Sequence, residues 1–432
     1  MTKRLAFFLG IAVAWVRLSA PAEAQTLEGF AKFPADTFAS GPTSGQLITP
    51  TNGRVPPFEG KQPVQGISSV LPGPHGDFWI MADNGFGAKE NSADFVLRVY
   101  HIDPSFKTSH GGKGTIDVES FITLHDPGRK IAFPIVADGQ TYPGTVIPVD
   151  PRIRERRLLT GGDFDIESVR VAHDGTLWFG DEFGPFLIHT DIRGRVLEAP
   201  VPLPGVKSPQ NPFLNGAAFN LPRSKGFEGM AVSCNGKVLY PMLEGPLTTD
   251  PDQHRLIINE FNVRSRKYTG RQWFYRLELA SSTGQSIGDL TRVGQRTFLV
   301  IERDNFEGAA ATFKKVFLVD FDDVDAAGFL VKHEVADLLN IKDPHNLGGF
   351  GPIFRFPFQT IESVMVVDRH RLGVLNDNNY PFSNGRVPGQ PDPNEFIVIK
   401  LDRPLPSLEC HDDRHDRDHG HQGRSDPDDD HP

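Results

Sequence analysis

Carboxylates recur at matching places in this chain, and clustered carboxylates demand a counter-charge. In "DIESVRVAHDGTLWFGDEFGPF" (165–186), Asp165 and Glu167 open one strand-like run, and Asp181 and Glu182 close the next. Two strands joined by a tight turn form a hairpin, which brings its outer ends together. Like charges held closely raise one another's pKa values, so such a corner calls for protons, for Arg or Lys partners, or for divalent cations. Carboxylates, Asn side chains and backbone carbonyls make the oxygen-rich set that Ca²⁺ prefers, with about 6–8 ligands.

The same layout returns in "GISSVLPGPHGDFWIMADNGFG" (66–87), "GFEGMAVSCNGKVLYPMLEGPL" (226–247), "SIGDLTRVGQRTFLVIERDN" (286–305) and "TIESVMVVDRHRLGVLNDNNYPF" (360–382). Glu228 goes with Glu244, Asp289 with Glu302 and Asp304, and Glu362 with Asp377, while Asp83 stands without a partner acid near Gly66. The candidate metal ligands are Asp83, Glu167, Asp181, Glu182, Glu228, Glu244 and Glu302. Glu167, Glu182 and Glu228 are the candidate catalytic acids or bases. Arg170, Arg303 and Lys89 could hold a phosphate through charge-assisted hydrogen bonds, or serve as ordinary surface and salt-bridge residues. Acids and Asn at strand ends are also common turn residues, so the recurrence carries the reading, not any single acid.

Other catalytic signatures are missing. No G-x-S-x-G elbow and no H-E-x-x-H occurs. "DRHRLG" (368–373) resembles the Arg-His-Gly start of histidine acid phosphatases, but Arg371 replaces the glycine, inside the turn of a repeat. His189 in "FLIHTD" reads as either a core or a site histidine.

Each segment is a short alternating strand, a turn such as Asp174-Gly175 or Asn235-Gly236, and a second strand of aromatic and branched residues. Further strand-like runs follow at 95–103, 255–263, 314–322 and 395–402, which makes about four strands per unit. Four-stranded units repeated around a ring form a β-propeller, which protects its sheet edges by closure. The expected fold is therefore all-β, a β-propeller of about five to six four-stranded blades, with a pair of β-sandwiches as the alternative. The interval between Gly87 and Asp165 has room for a sixth unit, and "TLEGFAKF" (26–33) could close the ring beside the last strands. Circular symmetry would bring the acidic positions to one mouth of the channel.

At these residues the chain resembles the secreted phytase-like family, the "esterase-like activity of phytase" proteins. The resemblance rests on 165–191, 226–247, 287–305 and "ADNGFGAKEN" (82–91), and runs from about Gly66 to Leu401. It implies phosphomonoester or phosphodiester hydrolysis by repeated acids, here Glu167, Asp181, Glu182, Glu228, Glu244 and Glu302. Alkaline β-propeller phytases, which use Ca²⁺, are similar in fold and acidity. The leading functional expectation is metal-dependent phosphoester hydrolysis. The alternatives are a calcium-dependent lactonase-like propeller hydrolase and a binding module with structural calcium.

Residues 1–24 have a basic start, an apolar run and an Ala-Glu-Ala ending, the layout of a signal peptide for export to the periplasm or beyond. No later run reaches the roughly 18–20 apolar residues of a membrane span. The net charge of −10 argues against a nucleic-acid surface, which would show a basic stripe. The expected partner is a small phosphorylated substrate, with the oligomeric state left open. Export permits a disulfide between Cys234 and Cys410, although two unpaired thiols is the plainer reading. After a domain at 25–408, the segment 409–432 is rich in His and Asp and reads as a disordered, solvated tail.

Overall fold

The computed structural model describes residues 25–410, so the leader (1–24) and nearly all of the tail (411–432) lie outside the described residues. The described chain is mostly β, with one α-helix, Pro151–Arg156, and three single 3₁₀ turns. No described helix is long and apolar enough to cross a membrane.

The strands pair in four-stranded antiparallel groups. The first group is Ile67–Pro72, Phe78–Ala82, Arg98–Ser105 and Thr115–Thr123, and the second is Ile166–Val171, Leu177–Asp181, Phe186–Thr190 and Val201–Pro202. The third comprises Phe227–Val232, Val238–Leu243, Arg255–Asn262 and Lys267–Arg276. The fourth comprises Gln285–Arg292, Thr297–Asp304, Lys314–Val324 and Leu330–Asp337. The fifth takes Thr360–Asp368, Arg371–Asp377 and Asn394–Lys400 from the end of the chain and Thr26–Phe33 from its start, paired antiparallel with Asn394–Lys400. A single parallel bridge, Lys32 to Thr115, joins the fifth group to the first.

The first strands of the groups pack against one another in the order first, second, third, fourth, fifth and back to first. Five apolar cores sit between successive groups. Phe179 packs with Val99, Trp178 with Phe227, Tyr240 with Phe298, Leu299 with Val364, and Ile80 with Phe396 in these clusters. Each sheet is therefore covered on both faces, which explains strands that are buried along most of their length. Two glycines allow close approach at the centre. A Cβ on Gly229 would lie 2.4 Å from Leu290 N, and one on Gly288 would lie 2.0 Å from the Ile361 carbonyl oxygen.

Three expectations change. The interval 87–165 holds the outer strands of the first group, the short helix and a 3₁₀ turn, not a sixth sheet. Cys234 and Cys410 are joined by a disulfide with a Cα–Cα distance of 5.6 Å, so the two-thiol reading is wrong. That bond ties Cys410 to the turn of the third group, so the segment expected to begin a free tail at 409 is fastened at its start.

Candidate metal centre

The strand register shows how the sequence gathers its acids. In every group the first strand carries an irregularity near its start, which skips Ser68, Glu167, the Glu228-Gly229 pair, Gly288 and Glu362. A bulged residue has no partner across the ladder and can be re-aimed. Its neighbours Ile67, Ile166, Phe227, Ile287 and Ile361 stay fully buried in the apolar cores. Facing the strand start, the hairpin partner is Asp83 for Gly66, Glu182 for Asp165, Glu244 for Gly226, Arg303 for Ser286 and Asp377 for Thr360. Each group thus delivers the same two positions to the place where first strands converge.

Six carboxylates meet there in three overlapping trios: Asp165, Glu167 and Glu182; Glu167, Glu228 and Glu362; Glu182, Glu228 and Glu244. Within each trio the ligand oxygens lie within 4.8 Å of one another. All are buried, at 3–8 % exposure. Burial, reinforced by neighbouring carboxylates, pushes Asp165, Glu167, Glu182 and Glu228 well above the ordinary carboxylate range. Burial and the Glu362 charge raise Asp83 to about 7. Burial also raises Asp377, with Asp83 and Glu362 adding to it.

Two cations answer part of this charge. Arg303 Nη2 donates to Glu362 Oε1 at 2.8 Å and lies 3.5 Å from Glu244 Oε1 and 3.7 Å from Glu228 Oε1. Lys225 pairs with the other oxygen of Glu244. Burial opposes ionisation at Glu244, but Lys225 and Arg303 outweigh it and hold this one carboxyl below its usual range. Asp165 Oδ1, Glu167 Oε2, Glu182 Oε1 and Glu228 Oε1 remain buried without a hydrogen-bond partner. Such orphans are costly in a low-dielectric interior, at about 1–3 kcal/mol each or more when charged. Hard, converging, unpartnered oxygens are the donor set of a Ca²⁺-type ion, so these residues fit one.

Of the expected ligands, Glu167, Glu182, Glu228 and Glu244 come together, with Asp83 at the neighbouring equivalent position. Asp181 and Glu302 do not join them, because each sits one residue earlier than the inward position and faces the other way. Asp181 accepts from Asp165 N at 2.9 Å and Gly184 N at 2.7 Å. Glu302 accepts from Tyr275 Oη at 2.7 Å and Lys332 Nζ at 2.9 Å, in a fully buried setting. Asp289 is displaced in the opposite direction, one residue later, since Gly288 holds the equivalent of Glu167.

The expected phosphate-binding side chains are dispersed. Arg170 Nη2 donates to Asp289 Oδ1 at 2.9 Å, and Nη1 donates to Ser69 Oγ at 2.8 Å. This pair runs from the second group to the fourth, and Asp289 also accepts from Val364 N of the fifth, so Arg170 is a buried tie between sheets. Arg303 is engaged with acids, and half-buried Lys89 reaches the Gln210 carbonyl at 3.4 Å. His189 is a core residue: it stacks on Trp178 at 4.1 Å and bonds Glu198 and Thr176.

Sequence reasoning left Asp165 and Glu362 out of the ligand set and missed Lys225 altogether. The signal for the inward position was present. Aligned as "WIMAD", "WFGDE", "YPMLE", "LVIER" and "GVLND", the five segments around the second-strand ends finish on Asp83, Glu182, Glu244, Arg303 and Asp377.

The fold and site define an all-β protein built of repeated four-stranded sheets, with a buried carboxylate centre where the first strands meet. The chain belongs to the phytase-like family, described as esterase-like activity of phytase, whose model matches residues 62–380. An uncharacterized secreted protein of Arthroderma benhamiae is 24% identical over 186 residues, which covers 34% of this chain and 36% of that protein. The match therefore spans about a third of that relative's length. Similar solved structures include a luciferin-regenerating enzyme (TM-score 0.36, 10% identity, 90% of this chain and 96% of that one). A GH43 β-1,3-galactosidase is another (TM-score 0.41, 9% identity, 82% and 59%). Likenesses this loose say nothing about chemistry.

Proposed function

We propose that the chain is an exported, five-bladed β-propeller whose carboxylate centre binds a divalent cation, calcium by its ligand chemistry, and hydrolyses phosphoesters of small molecules. The observation that carries this reading is the convergence of four unpartnered buried carboxylate oxygens. Family membership supports the reaction class, and the disulfide and the name of the secreted relative support export. Asp165, Glu167, Glu182 and Glu228 would hold the ion, with Glu244 and Glu362 beside them.

A bound divalent cation supplies positive charge to attract an anionic ester and acidity towards a coordinated oxygen. The side chains do the rest. Arg303 offsets Glu362 and part of Glu228, and Lys225 offsets Glu244, so the excess negative charge lies on the Asp165–Glu167–Glu182 side. Glu167 and Glu182, both raised by burial, hold a proton more readily than an exposed carboxylate, as a general acid must. Arg170 and Asp289 brace the first strands behind them.

The low exposure of the centre, 3–8 %, favours a second reading in which calcium is structural and ligands dock on the loops. Assays of a phosphomonoester and a phosphodiester on metal-stripped protein, with and without Ca²⁺ and beside Glu182→Gln, separate the two. Metal-dependent turnover that collapses in the variant supports hydrolysis. Calcium stabilisation without turnover of either ester rules it out and leaves the binding module, and turnover of a lactone alone would select the lactonase-like alternative.

A further inference from the structure

Positive charge collects at a second place in this acidic protein. A pocket of about 540 Å³ lies between the Thr115–Thr123 strand, the short helix and the 191–195 turn of the second sheet. Arg98, His125, Arg152, Arg156 and Arg193 line it, with the Phe121 ring on one wall. Among the described residues, Asp150 is the one carboxylate paired with any of these arginines, at 2.8 Å from Arg152.

Arg98 is the unusual member. It is 3 % exposed. Its Nε donates to Thr123 Oγ1 at 3.3 Å and its Nη2 to the Ser40 carbonyl at 2.9 Å, while its carbon lies 3.9 Å from the Phe121 centroid. Nη1 is buried beside the Tyr100 hydroxyl, a neutral group that cannot balance its charge. A guanidinium does not shed its proton, so burial without a carboxylate leaves a full charge unanswered. The chain makes room for it: a Cβ on Gly41 would lie 2.9 Å from Arg98 Nη2.

We propose that this pocket binds a tetrahedral dianion, inorganic sulfate or a phosphate group that is free or carried on a small ligand, with Arg98 as the buried anchor and Arg156 and Arg193 as the rim. Three guanidiniums without an acidic partner call for more than one negative charge, which a single carboxylate does not supply. The planar guanidinium fork also matches the oxygens of such a group. None of the carboxylates at the strand convergence lines this pocket, so the site stands independently of the hydrolase reading.

The test titrates the purified protein with inorganic phosphate, sulfate and acetate at constant ionic strength, followed by calorimetry and thermal unfolding. The same titrations are run on the double variant Arg156→Ala/Arg193→Ala and on Arg98→Lys. Phosphate or sulfate is expected to bind saturably and raise the melting midpoint, and the tighter of the two identifies the group. The double variant is expected to bind at least tenfold more weakly, with its anion-free midpoint and its calcium affinity unchanged. Arg98→Lys keeps the charge but loses the fork, and a similar loss is expected there. Absence of a saturable response to both dianions, an equal response to acetate, or unchanged affinity in the double variant would overturn the proposal.

Discussion

At the scale of residues, the centre is a balance between repelling carboxylates and too few cations. Glu228→Gln removes a carboxylate that lacks a hydrogen-bond donor, so it is expected to weaken calcium binding at least tenfold, about 1.4 kcal/mol, with little change in metal-free stability because Arg303, 3.7 Å away, stays paired with Glu362. Calorimetric titration and thermal unfolding measure both. Arg303→Met leaves Glu362 uncompensated and is expected to destabilise by about 3–5 kcal/mol, the usual result of breaking a buried pair. Adding Glu362→Gln should recover part of that loss in a double-mutant cycle. The acids also set a pH dependence. Apart from Glu244, their folded pKa values are raised, so the folded state holds protons that the unfolded state releases from about pH 4 upward. Stability of the metal-stripped protein is therefore expected to fall as pH rises through about 7, where Asp83 titrates, and chemical denaturation at pH 5 and pH 8 shows the sign. Calcium, which binds the ionised form, should flatten that slope.

At the scale of elements, the hairpins were legible and the register was not. Alternation and the Asp174-Gly175 and Asn235-Gly236 turns marked the strands correctly, and the glycines have φ of 78° and 66° as such turns require. "TLEGFAKF" does pair beside the last strands, as Thr26–Phe33 against Asn394–Lys400. The bulges were invisible to a period of two, and they decide which acid faces inward. A strict period of two points Glu302 and Asp289 at the centre, whereas the bulge at Gly288 turns Arg303 there instead. The Arg170–Asp289 tie runs between sheets that are not neighbours, so no local pattern announces it. The disulfide closes a sequence separation of 176 residues and restrains the unfolded chain strongly. Cys234→Ser with Cys410→Ser is expected to cost about 2–4 kcal/mol in denaturant unfolding, without loss of calcium binding.

At the scale of the whole molecule, ring closure concentrates chemistry that no single sheet contains. Each sheet contributes one or two inward side chains, and only the cyclic packing of first strands brings Asp165, Glu167, Glu182, Glu228, Glu244 and Glu362 together. The number of sheets followed only once the interval 87–165 resolved into outer strands and a short helix. The measurement that tests the centre most directly is a calcium titration of the metal-stripped chain by calorimetry, run beside Glu228→Gln. Saturable binding to wild type, at least tenfold weaker in the variant, is the expected result. No binding, or equal affinity in the two proteins, would mean that the buried carboxylates are neutralised by protons and by Arg303 and Lys225 alone.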